Sequence, residues 1–238
     1  MPSTLLSANS QIVTRTELSE VAAPPPTATW RPIAHYDLVQ SLDRQLAVRN
    51  IRIVKEELAL AREGLRLFGV LELEVPGTNG GSGRDYHFAM GIRTANDRSF
   101  ATQLVAGARV FVCDNLAFSG DLIAMNRKHT AKFDLNADLS RAVDVYERHL
   151  ATFGDKFEGL HSRHLRGWEA KEMMFDAIAE GVVPARVIPA VIAGYWMHEG
   201  DLTAWHLHNI FTSAFKQLSP AAKFQATAHL GRLFQLTA

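Results

Sequence analysis

The sequence predicts an α+β protein: an antiparallel β-meander with a packed helix, in the order α-β-β-β-α-β, followed by a helical C-terminal half. Three observations carry this. Apolar residues alternate with period two in short runs between residues 51 and 118, the pattern of half-buried strands. Beyond residue 130 they recur at three- and four-residue spacing, the pattern of helices with one apolar face. The composition, 47% hydrophobic and 21% charged over 238 residues, is that of a folded globular chain with ample material for a core.

Residues 1–30 are rich in Ser, Thr, Ala and Pro and read as a flexible arm. Pro24-Pro25-Pro26 lacks backbone donors and favours an extended segment that could dock on a neighbouring subunit. The sheet core is assigned to residues 31–125 and the helical region to 126–238, either packed on the core or separate. From Ile33 to Val48, Tyr36, Leu38, Val39, Leu42 and Leu46 recur at helical spacing. Ile51-Arg52-Ile53-Val54 continues toward Leu58-Ala59-Leu60. After the turn-like Arg62-Glu63-Gly64, the residues Leu65, Leu67, Gly69, Leu71, Leu73 and Val75 alternate with their neighbours, which makes a hairpin. A glycine-rich loop, Gly77 to Gly83, leads to a third strand with Tyr86, Phe88, Met90 and Ile92 on one face.

Asn96-Asp97-Arg98-Ser99 offers N-cap chemistry for a helix through Phe100, Leu104 and Val105 to Gly107. Arg109 to Phe118 returns to strand character. A long amphipathic helix follows, with Leu135, Leu139, Val143, Tyr146, Leu150 and Phe153 on its apolar face. Another runs from Glu169 to Glu180 and stops at Gly181. Leu207, Ile210, Phe211, Ala214, Phe215 and Leu218 form a further helical stripe. Ser219-Pro220 then starts a last helix carrying Phe224, Leu230 and Phe234.

Several function classes lose ground at this point. A net charge of zero steers the molecule toward no particular partner. The single cysteine, Cys113, excludes an intramolecular disulfide, and its apolar surroundings mark it as a core thiol. Neither a signal-peptide pattern nor an apolar run of membrane-spanning length occurs, so the expected compartment is the cytoplasm, with no membrane partner. The glycine-rich loop lacks the Lys-Ser or Lys-Thr of a phosphate loop. Glu158, His161 and His164 are spaced along one helix side and are the candidates for a metal. However, Glu-x-x-His occurs once where a di-iron site needs two, and H-E-x-x-H is absent. No catalytic residue is nominated and no cofactor is expected.

The basic residues are more informative. Arg52, Lys55, Arg62, Arg66, Arg93 and Arg98 sit on or beside the first three strands near Phe68 and Tyr86, and Arg127-Lys128-His129 follows the last strand. Cations that track phosphates beside aromatic faces that stack bases are what single-stranded nucleic acid requires. The competing reading pairs these cations with Glu56, Glu57, Glu63, Glu72 and Glu74 as a solvated sheet face.

Four segments occur in order: Gly91-Ile92-Arg93-Thr94-Ala95-Asn96-Asp97-Arg98-Ser99; Gly107 to Gly120, with Asp114-Asn115 inside it; Arg127-Lys128-His129-Thr130; and Trp205-His206-Leu207-His208-Asn209-Ile210-Phe211-Thr212. Together they resemble an uncharacterised family of phage- and plasmid-borne proteins, domain of unknown function 932, over roughly residues 35–236. His208 departs from the aromatic Tyr expected beside the Asn. The order helix, hairpin, third strand, helix also resembles the core of single-strand annealing proteins, the superfamily of the phage Beta protein. These resemblances imply a setting in mobile genetic elements, single-stranded DNA binding or annealing without catalysis, and homo-oligomers in rings or filaments. The polar positions they carry over are Arg93, Asn96, Asp97, Ser99, Asp114, Asn115, Arg127, Lys128, His129 and Thr130. Asp114-Asn115 is either a buried hydrogen-bonded pair or part of a site. Two alternatives stand beside this reading: a protein-interaction module that interferes with host defence, and a metal-dependent enzyme built on Glu158, His161 and His164.

Overall fold

A computed structural model describes residues 10–75, 86–110, 115–130 and 132–236. Six strands pair in chain order, each antiparallel to the next: β1 (Ser10–Val13), β2 (Arg52–Ala61), β3 (Arg66–Glu74), β4 (Tyr86–Ala95), β5 (Thr102–Val110) and β6 (Asn115–Arg127). The helices are α1 (Arg15–Ser19), α2 (His35–Ala47), α3 (Leu135–Ser162), α4 (Gly167–Ala179), α5 (Ile188–Met197), α6 (Ala204–Ala214) and α7 (Pro220–Leu233). The class is α+β and the C-terminal half is helical, as the two hydrophobic periods require.

The β2–β3 hairpin turns at Arg62-Glu63-Gly64, all three in the left-handed region with φ of 54°, 55° and 83°. Gly64 takes that conformation without a Cβ penalty, whereas Arg62 and Glu63 bear one. Both faces of the sheet are apolar. Leu71, Leu73, Phe88, Met90, Ile92 and Leu104 point into the main core, which runs on through α2, α3, α6 and α7. The helical region is therefore packed on the sheet. Ala59, Phe68, Val70, Ala89 and Val105 form a smaller cluster with Phe100, with the opposite side-chain alternation on β3 and β4.

Three expectations change. The helix expected over Phe100–Gly107 is strand β5, paired with β4 from Arg93↔Gln103 to Tyr86↔Val110. The cap-like residues close a hairpin instead: the Asp97 carboxylate accepts from the Ser99 N–H (3.0 Å) and hydroxyl (2.5 Å), and Arg98 is left-handed at φ 64°. Asp and Ser bond nearby backbone equally well in a turn and at a helix start. The strand expected over Arg109–Phe118 is the meeting of two, since Val110 pairs with Asn115 across the β5–β6 hairpin.

The N-terminal arm is the third change. Ser10–Val13 add a strand to the edge of β2, pairing Ser10↔Ala61 through Val13↔Leu58 on the same chain. α1 follows, closed by a reciprocal cap between Thr14 and Glu17, with Leu18 fully buried. Arg15 ties it down through Asp43 (2.6 Å) and Glu56 (2.8 Å). The expectations for the Gly77–Gly83 loop, Cys113 and Asp114 lie outside the described residues.

One buried group on α3 gives a direct stability test. Tyr146 is fully buried, its hydroxyl has no hydrogen-bond partner among the described residues, and burial pushes its phenol up from the ordinary range. Removing an unsatisfied buried hydroxyl recovers its desolvation cost, so Tyr146→Phe is expected to raise stability by about 1 kcal/mol in urea unfolding. A loss of the same size would reveal a bound water.

Candidate nucleic-acid interface at the turn end of the sheet

The β2–β3 turn, the β4–β5 turn, the exit of β6 and the segment 29–33 meet at one end of the sheet. Asn96 joins two of them. Its buried amide oxygen accepts from the Ile33 N–H (3.3 Å), its NH₂ donates to the Ile33 carbonyl (2.9 Å), and its own backbone N–H donates to the Leu65 carbonyl (2.7 Å). Trp30 forms an isolated bridge with Thr130, and the Arg31 N–H donates to the His129 carbonyl (3.1 Å). These bonds hold Trp30, at the end of the segment whose composition predicts a flexible arm, beside the end of β6.

Beneath the surface, Thr94 and Thr102 share a hydrogen bond of 2.6 Å. Both hydroxyls also lie against His129 Nε2, at 3.0 and 2.6 Å respectively. Burial lowers the His129 pKa. His35 stands close by, its Nε2–H donating to the Gly64 carbonyl (2.9 Å). Burial is the main reason its pKa falls to about 4, with a further push from His129, so the ring is neutral.

Above this floor lies a cavity of about 400 Å³, bordered by Thr29, Trp30, Arg98, Ser99, Lys128 and Thr130. The Arg98 guanidinium sits over the Trp30 ring at 4.6 Å. Arg98 and Lys128 are exposed, and neither makes an ion pair among the described residues. Exposed Arg62 stands in the adjoining turn, likewise without an ion pair among the described residues.

The remaining bases are committed to protein partners. Arg66 bonds Asp97 at 2.6 Å. Burial pushes the Asp97 carboxyl up, but the bonds from Ser99 and Arg66 outweigh it and hold it below the usual range. Arg93 is buried, donates to Gln103 (2.6 Å), and lies 5.1 Å from the Phe100 ring. Its burial disfavours the charged form. Arg127 pairs with Asp138 at 3.2 Å, a carboxylate that Arg141 also holds at 2.5 Å.

The structure thus brings together Arg62, Arg66, Arg93, Asn96, Asp97, Arg98, Ser99, Arg127, Lys128, His129 and Thr130. It does not bring Arg52, Lys55 or Asn115 to them. Arg52 pairs with Glu74, and Lys55 lies 3.7 Å from Glu72 and 3.8 Å from Glu57. Arg52 is at the far end of β2, about 30 Å along the strand at ~3.3 Å per residue. Asn115 opposite Val110 is at that far end too.

The metal candidates separate as well. α3 ends at Ser162 and the chain turns extended at Arg163, so His164 leaves the helix side and bridges to Thr203. His161 instead stacks on Trp205 with ring centres 4.0 Å apart. Among the described residues no group of three His, Cys, Asp or Glu side chains is placed to hold a metal ion. Trp30, Thr94, Thr102 and Phe100 are site residues that sequence reasoning missed. Only Trp30, a lone aromatic four residues beyond the proline run, carried a visible signal.

In comparisons with known proteins, no family model, no curated protein and no solved structure matches the chain.

Proposed function

We propose that this protein binds single-stranded nucleic acid, most simply DNA, at the turn end of its sheet, without catalysing a reaction. The observation that carries the reading is the exposed pair Arg98 and Lys128 at the mouth of a cavity walled by Trp30. The Arg98 guanidinium stacked over the Trp30 ring offers a planar surface for a base, and its charge with that of Lys128 faces a phosphate backbone. Nucleic acid binding of low sequence preference needs those two elements. A cavity of about 400 Å³ accepts one nucleotide-sized group, within the usual size of small ligand sites. The resemblance to a mobile-element family and to annealing proteins supports a place in recombination or replication, in the cytoplasm. Among the described residues no helix is long and apolar enough to cross a membrane.

The test is fluorescence anisotropy of a short labelled single-stranded oligonucleotide at two salt concentrations. Binding is expected to weaken as salt rises. In the double variant Arg98→Ala/Lys128→Ala, the slope of log affinity against log salt should fall by about 1.4, two phosphates at ~0.7 each. Trp30→Ala should weaken binding by about 1–3 kcal/mol with the salt slope unchanged, because stacking rather than charge is lost. No binding at micromolar protein, or equal loss with Arg52→Ala/Lys55→Ala, would remove this site.

A further inference from the structure

A second surface lies on the helical half. α5 reads Ile-Pro-Ala-Val-Ile-Ala-Gly-Tyr-Trp-Met and has no charged residue, yet Val191 is its one fully buried side chain. Helices that are apolar all round are ordinarily covered. Here Trp196 is 69% exposed and Met197 79%, and on neighbouring α4 Trp168 is 60% and Phe175 69% exposed.

The two helices present one continuous patch. The Tyr195 hydroxyl donates to the Gly167 carbonyl (3.3 Å), and Lys171 Nζ lies 5.3 Å from the Trp196 ring centre. Trp168, Lys171 and Phe175 share one side of α4 by their spacing. The exposure does not come from a loosely held helix. A Cβ on Gly194 would lie 2.9 Å from Ile210 Cγ2, so α5 is pressed against α6 as closely as a glycine allows.

We propose that this α4–α5 surface pairs with the same surface of a second copy of the chain. The area favours a second copy. With ~150–250 Å² per aromatic side chain, the exposed parts of these residues and their neighbours Ile178 and Ile192 amount to about 700 Å² of apolar surface. This exceeds the ~300–600 Å² of the largest apolar patch on a typical monomer and is close to the ~800 Å² each partner contributes to a standard interface. A two-fold axis through the patch sets each copy's aromatic residues against the other's.

The experiment is light scattering on size-exclusion fractions of the full chain over a range of micromolar concentrations, with far-UV circular dichroism on each variant. Wild type is expected near twice the 26.3 kDa chain mass. Phe175→Glu and Trp196→Glu should each raise the dimer dissociation constant at least about thirtyfold, the effect of losing a central interface aromatic, with the helical spectrum unchanged. A wild-type monomer throughout would overturn the proposal, whatever other protein the patch binds. So would an oligomer indifferent to these variants, or one larger than a dimer. The oligonucleotide titration reads a different surface, so either result stands without the other.

Discussion

Asn96→Ala is expected to lower unfolding stability by about 3 kcal/mol and to abolish oligonucleotide binding together with it. The Asn96 amide satisfies both the N–H and the carbonyl of Ile33 in a buried setting. Alanine leaves two backbone groups with no replacement, at about 1–3 kcal/mol each, partly relieved if water reaches them. The damage spreads because Ile33 continues the segment that carries Trp30 and Arg31 onto the end of β6. Once that segment is released, the Trp30 wall of the cavity is no longer fixed. Urea unfolding gives the first number and anisotropy the second. A stability change under about 1 kcal/mol with normal binding would show that Ile33 needs no side-chain partner.

The protein is also expected to be acid-labile, losing about 5 kcal/mol between pH 7 and pH 4.5, the upshot of two buried neutral histidines. Burial lowers His35 to about 4 and His208 to about 3. In the unfolded chain both titrate near 6.5. Their folded pKa values are depressed, so the stability they protect is complete above pH 6.5. It is lost as pH falls toward 4 for His35 and toward 3 for His208, since the unfolded chain takes up protons that the folded chain refuses. At about 1.4 kcal/mol per unit, the two together approach the whole stability of a typical domain. Urea midpoints at pH 7, 5.5 and 4.5 measure this. His208→Gln should flatten the dependence by about half, and a midpoint that ignores pH would mean that both rings reach solvent.

How legible all this is from sequence varies with the physics of each segment. The β2–β3 hairpin is plain because Leu67, Leu71 and Leu73 alternate around a turn. β5 is not, because Leu104, Val105 and Ala106 are all buried, two on one face and one on the other, which erases the period. α5 escapes for a related reason: without polar residues it has no face to detect. β1 is hidden in a polar, proline-rich stretch where four residues of strand make little impression. In the site, the residue types were visible and their partners were not. Lys55 looks like a phosphate ligand until the register places it opposite Glu72, and Arg52 until it meets Glu74. Arg98 and Lys128 make no ion pair among the described residues, a matter of turn geometry that spacing alone does not encode.

The strictly sequential order of the sheet bears on how the protein is made. From β2 onward each strand pairs with the one synthesised just before it, so the meander can close hairpin by hairpin as the polypeptide leaves the ribosome. β6 is different, because α7, which packs along it, begins only at Pro220. A nascent chain therefore carries a nearly finished sheet whose last strand is covered in stages, by α3 first and by α7 only after Pro220 is translated. Chaperone dependence should concentrate in that interval, and messages truncated before Pro220 should yield chains that the cell degrades.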